Sequence, residues 1–249
     1  MNDRLPFPNA PITEAIIDIR TELSSELNLD VLASYQEQIK DRFPVKKERY
    51  SWRGGFQFGK GAEPKILQPS GGPDGYLFKS TDGKKIVQAR LDGFSFNKLK
   101  PYEEWKVFSK EAKELWALYV QIVKPIKVTR LALRYINRIE IPLPIKKLKE
   151  YILTLPEIAK GLPSSLGSYF MSLEIREPKI DARATIIGTF KPVKADSKIL
   201  PLIFDIDVYK LTTINPIDKS IWIIMDQLRT FKNDIFFKSL TNKTKEMFK

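Results

Sequence analysis

The chain contains neither histidine nor cysteine in its 249 residues. Those two absences exclude Ser-His-Asp and Cys-His nucleophile systems, thiolate chemistry and a histidine general base. Zinc is left without its usual ligands. Disulfides cannot form, and a histidine pH switch is missing. No run of about 18 apolar residues occurs, so no membrane-spanning helix is expected. The opening Met1-Asn2-Asp3-Arg4-Leu5-Pro6 has no basic stretch followed by an apolar one. No secretory signal and a cytoplasmic location are therefore expected. Glycine is sparse, and its clusters Gly54-Gly55, Gly59-Lys60-Gly61 and Gly71-Gly72 match neither the P-loop nor the dinucleotide fingerprint. They read as turns and bulges.

What is present is an ordinary globular composition, 43 % hydrophobic and 29 % charged, in a chain long enough to bury a sizeable core. The formal net charge is +12. Such a balance fits a polyanionic partner such as nucleic acid. It fits equally a composition biased toward Lys and Ile, because the lysines are scattered. Lys46-Lys47, Lys84-Lys85 and Lys146-Lys147 are the adjacent basic pairs, and no five-residue basic block appears.

Along the chain, Leu5–Pro11 reads as an extended Pro-rich arm. Ile12–Leu23 reads as a strand, and Asn28 as the cap of a helix from Leu29 to Arg42. Strands are expected at Tyr50–Gly59, Tyr76–Thr81 and Lys84–Leu91, the last two joined by the hairpin dipeptide Asp82-Gly83. Pro101 opens a long helix to Val123. The order then recurs. Val128–Ile141 reads as a strand, and Pro144 opens a short helix through Ile152. Strands follow at Gly167–Arg176, Ala182–Phe190 and Ile199–Tyr209. Asp218 caps a helix to Phe237, with Ile221, Ile224, Met225, Leu228, Phe231 and Ile235 as its apolar stripe. The expected fold is α+β: two similar β-α-β-α halves, residues 1–125 and 126–249, forming an antiparallel sheet with long helices packed on one face. The order of elements resembles the duplicated saddle of the TATA-binding protein superfold, a likeness that carries no function.

The strand Val128–Ile141 holds most information. One face carries Arg130, Arg134, Arg138 and Glu140; the other carries Leu131, Leu133, Tyr135, Asn137 and Ile139. Three guanidiniums in a row on one strand face, each four residues and so about 13 Å from the next, need anions. The first strand offers Glu14 and Asp18 on one face. Either the two strands pair and form a charge ladder, or the arginines make a platform for phosphate or carboxylate.

Pro11-Ile12-Thr13-Glu14-Ala15-Ile16, Leu133-Arg134-Tyr135-Ile136-Asn137-Arg138-Ile139 and Phe236-Phe237-Lys238-Ser239-Leu240-Thr241 together resemble patches of an uncharacterised, sporadically distributed prokaryotic family of about this length. The resemblance implies no activity. Its patchy distribution fits a mobile-element or defence setting.

Two further chemistries are open. Asp205 and Asp207 project from one strand face and could hold Mg²⁺ with Glu174, or could pair with nearby bases. Tyr50, Trp52, Phe56 and Phe58, with Arg49 and Arg53 nearby, alternate as a base-stacking platform would, or as a core-facing strand does. The leading expectation is a non-catalytic binding or regulatory protein with a protein or other macromolecular partner. Nucleic-acid binding across Arg130, Arg134 and Arg138 is the first alternative, and a metal-dependent hydrolase using Asp205 and Asp207 the second.

Overall fold

A computed structural model of the chain describes residues 7–50, 56–57, 65–66, 72–163 and 166–249. Its first strand, β1 (Ile12–Glu22), obeys the alternation in its sequence: Ala15, Ile17 and Ile19 are fully buried on one face. Asn28 caps α1 (Leu29–Ser34), its Oδ1 accepting the amides of Asp30 and Val31 at 3.1 and 3.2 Å. The helix then breaks at Tyr35 and resumes as α2 (Gln36–Ile39). Tyr35 is drawn into the core, where its hydroxyl donates to the Leu115 carbonyl at 2.9 Å. One uninterrupted helix to Arg42 does not form, although Tyr35 keeps helical backbone angles.

There follow β2 (Val45–Arg49), the short β3 (Phe56–Gln57) and β4 (Lys65–Ile66), then β5 (Gly75–Lys79), β6 (Lys85–Arg90) and β7 (Gly93–Leu99). Helix α3 (Trp105–Val123) leads to β8 (Lys127–Pro142), β9 (Tyr169–Glu177), β10 (Ala182–Phe190) and β11 (Ile199–Ile214). Helices α4 (Ser220–Ser239) and α5 (Asn242–Glu246) complete the described chain. The stretch opened by Pro144 forms only one 3₁₀ turn, Leu148–Glu150.

Nine of these strands make one antiparallel sheet in the order β2-β5-β6-β7-β1-β8-β11-β10-β9. Strand makes up 39 % of the chain and helix 27 %. The expected fold is thus corrected. The molecule is dominated by its sheet and is not an arrangement of long helices on a TATA-binding-protein-like framework. The reason lies in particular segments. Leu29–Arg42 breaks, Pro144–Ile152 gives a single turn, and Val45–Arg49 and Gly93–Leu99, neither anticipated as a strand, both enter the sheet.

Strand β7 is the more consequential of the two, because it lies beside β1 in the middle of the sheet and is buried on both faces. The two longest helices cover one face. Phe108, Ala112, Leu115, Trp116, Tyr119 and Val123 of α3 are buried. So are Ile221, Met225, Leu228, Lys232 and Ile235 of α4. The opposite face carries charge.

Gly93 begins β7 at φ +144, in register with Arg20 of β1 and Arg90 of β6. A Cβ there would fall 2.2 Å from the Ile19 carbonyl oxygen. Gly83, in the β5–β6 hairpin at φ +68, has nothing within 4 Å of such a Cβ. Gly93→Ala is therefore expected to cost roughly 2 kcal/mol or more in urea unfolding, and Gly83→Ala about 1 kcal/mol, from the strained backbone alone. Equal costs would show that the close approach of β1 and β7 is not constraining.

Candidate functional site

The face of the sheet away from the helices is crossed by hydrogen-bonded charges. Strands β1 and β8 pair antiparallel, with Asp18 opposite Ala132 and Arg20 opposite Arg130. Asp18 is gripped by Arg90 from β6 at 2.7 Å, by Arg130 from β8 at 3.2 Å and by Arg20 of its own strand at 3.2 Å. Arg130 continues to Asp207 on β11 at 2.9 Å. Arg134 holds Asp205 through two parallel bonds, Nε to Oδ1 at 3.0 Å and Nη2 to Oδ2 at 2.6 Å. Glu14 accepts from Asn97 Nδ2 at 2.7 Å.

Burial alone would raise the Asp18 carboxyl, but Arg90, Arg20 and Arg130 outweigh it and hold it below the ordinary carboxylate range. For Asp207 the balance reverses. Burial dominates over Arg130 and Arg134, and the carboxyl rises, with Oδ1 buried and lacking a hydrogen-bond partner.

Most of the residues singled out in the sequence thus meet on one face. Glu14, Asp18, Arg130, Arg134, Asp205 and Asp207 stand there together, and the acids answer the arginines. Arg138 is half exposed and meets Glu140 of its own strand at 3.4 Å. Asn137 stands on the other face, buried, its amide donating to the Phe204 carbonyl at 2.9 Å. Asp205 and Asp207 are engaged by guanidiniums. Glu174 on β9 faces Arg176 and Arg183. Among the described residues no three acids come close enough to hold a metal ion. Of the aromatic row, Tyr50 is exposed. Trp52, Arg53, Phe58 and the Phe56 side chain lie outside the described residues, as do Gly54, Gly55, Gly59, Lys60, Gly61 and Gly71.

On the helix face a cavity of about 380 Å³ opens between the start of α3 and the middle of α4. Tyr135 and Asn137 of β8 form its floor, Tyr102 and Trp105 one wall, Arg229 and Lys232 the other. Trp105 Nε1 donates to Asp226 at 2.6 Å and ties the two walls. The arm from Phe7 to Ile12 lines the mouth. The Phe7 ring packs on Phe237 and Phe248 at 5.7 and 5.6 Å, and the Asn9 amide donates to the Phe248 carbonyl at 3.0 Å.

Lys232 is only 8 % exposed, and its Nζ lies 3.8 Å from the centroid of the Tyr135 ring. Among the described residues no carboxylate pairs with it. Burial, then the neighbouring Arg229, push its ammonium down to about 7. The Tyr135 hydroxyl shares a 2.8 Å hydrogen bond with that of Tyr102. Burial pushes Tyr102 up to about 12 and Tyr135 well above its usual value, so both stay protonated and able to donate.

Sequence reasoning missed Lys232. The signal was its spacing: Ile221, Met225, Leu228, Lys232 and Ile235 follow one another at helical three- and four-residue steps, so the lysine stands in the apolar stripe.

Two predictions follow from these electrostatics. Asp18→Asn, which takes one carboxylate partner from each of Arg20, Arg90 and Arg130 but leaves them Asp92 and Asp207, is expected to cost roughly 3 kcal/mol in denaturant unfolding at pH 7. Asp207→Asn should cost under about 1 kcal/mol, because its charge is already disfavoured. For Lys232 the unfolded chain keeps the proton to 10.5 while the fold releases it near 7. Between those values the unfolded state binds more protons, so stability rises with pH across that window. Lys232→Met is then expected to stabilise by a few kcal/mol at pH 6 and by progressively less toward pH 10. A gain independent of pH would contradict the burial argument. No protein-family model matches the chain, and no curated protein matches it.

Proposed function

We propose that the chain is a non-catalytic binding protein of the cytoplasm whose ligand seat is the cavity between α3 and α4. The observation that carries this is Lys232, a buried amine facing the cavity with no carboxylate pairing it among the described residues. A methionine or leucine would fill that stripe position at no cost in buried charge, so a lysine there implies a task. The volume falls within the roughly 300–1,000 Å³ of small-ligand sites. Among the described lining residues Arg229, Lys232 and Lys106 outnumber the acidic Glu104, and the rest are largely aromatic and aliphatic. That combination favours a small organic anion with a flat apolar body, rather than the macromolecular partner expected from the sequence. Membership of the prokaryotic family that the three patches resemble, in a mobile-element or defence setting, belongs to the same proposal and adds no ligand chemistry.

Nucleic-acid binding on the outer face has less support, because Arg130 and Arg134 are spent on carboxylates of this chain. A carboxylate-bound Mg²⁺ at Asp205 and Asp207 has less support for the same reason.

The test is thermal unfolding with cinnamate and phenylpropionate, each compared with its uncharged amide. The acids are expected to raise the midpoint in proportion to the logarithm of concentration, and the amides to do so far less. Lys232→Met, which leaves Arg229 in the lining, should narrow the difference between acid and amide. If neither acid moves the midpoint at millimolar concentration, the cavity is not the seat of such a ligand.

A further inference from the structure

Resting on the cavity being a ligand seat, we infer that Lys232 is a covalent site, condensing with the carbonyl of a 2-oxo acid that carries a flat apolar body. The geometry divides the work between two cations one helical turn apart. Arg229 and Lys232 stand at positions i and i+3 of α4 and line the same cavity. A guanidinium stays charged at every relevant pH and suits a carboxylate. A buried amine beside it loses its proton far more readily and becomes a nucleophile. A seat that needed only a second fixed charge would be served by a second arginine. Burial and Arg229 both push the Lys232 amine toward its neutral form.

The step balances without any further reagent. The Lys232 nitrogen lone pair attacks the carbonyl carbon; the C–N bond forms and the π pair moves to oxygen, which takes a proton. The nitrogen sheds its proton, the C–O bond breaks, and one water departs, leaving an imine. Departure of that water needs a proton donor. Solvent at the open cavity supplies that proton, and the Tyr102–Tyr135 hydroxyl pair, at the edge of the ring that Lys232 covers and held protonated by burial, can polarise the departing oxygen by a hydrogen bond. Hydrolysis reverses the sequence, so the ligand is held covalently and reversibly, with no net change to it.

Phenylpyruvate is the probe, with sodium cyanoborohydride to reduce any imine, and intact-mass measurement followed by peptide mapping as the readout. Phenyl-lactate, which keeps the ring and carboxylate but has no carbonyl, is the competitor. One adduct is expected on Lys232, heavier by the probe less one oxygen atom. It should form on the order of a hundredfold faster than on any surface lysine at pH 7 and be suppressed by phenyl-lactate. Lys232→Arg should abolish the adduct while phenyl-lactate still raises its unfolding midpoint. Lys232→Met, which removes a buried charge, serves as a well-folded second control. If phenylpyruvate and phenyl-lactate both stabilise the protein but no adduct maps to Lys232, the covalent inference is overturned and the ligand seat stands. If neither stabilises it, both fall. Labelling spread evenly over surface lysines and indifferent to phenyl-lactate also overturns the inference.

Discussion

A single carboxylate, Asp18, ties the middle of the sheet together. It lies on β1, the strand that joins the β-strands before α3 to those after it. Arg90 reaches it from two strands away on one side, Arg130 from the adjacent strand on the other, and Arg130 passes the contact on to Asp207 of β11. Gly93 lies between Arg20 and Arg90 in register, where a Cβ would collide with the Ile19 carbonyl oxygen. Burying one carboxylate costs energy. Burying it against three guanidiniums makes its ionised form the favoured one, as its lowered pKa reflects. A one-residue slip of β1 against β8 would bring Ile17 or Ile19 to that position and send Asp18 into the helix-covered core, so charge and hydrophobicity enforce the same register.

This neutralisation shapes how the two faces are used. The outer face spends its arginines internally, with Arg134 on Asp205 and Arg130 shared between Asp18 and Asp207. A formal charge of +12 therefore says little about that surface. The helix-covered face is largely apolar, and α3 and α4 diverge over Tyr135. There the Lys232 amine sits over the Tyr135 ring with no carboxylate pairing it among the described residues. Paired charge builds the outer face of the sheet, and the amine that no described carboxylate pairs lines the cavity on the other.

Legibility followed from how local each signal was. The alternation of β1 and β8, the Asn28 cap and the Asp82-Gly83 hairpin each depend on a few neighbouring residues, and the structure has them where the chain places them. Gly93–Leu99 was harder. Its residues are buried on both faces, so Ser95 and Asn97 break the expected apolar pattern, although Asp92-Gly93 before it is itself a hairpin signal. The break at Tyr35 was not legible, because the residue keeps helical backbone angles and lies on the same inward stripe as its neighbours. Among site residues, the acids and arginines were readable as complements. Asn137 sits apart from them because strand parity sends it to the other face.

From sequence alone came the exclusions of cysteine and histidine chemistry, the two-fold periodicity of the strands and the opposition of acids to arginines on matching faces. These depend on residue type and spacing, which survive any packing. Which strands became neighbours, how much sheet outweighed helix, and that Lys232 faces a cavity instead of water were decided only in three dimensions. The periodicity of α4 placed that lysine on the inner stripe. Only the divergence of α3 from α4 left it beside an opening, and that opening exists because Tyr102, Trp105 and the arm at Phe7 meet there from distant parts of the chain.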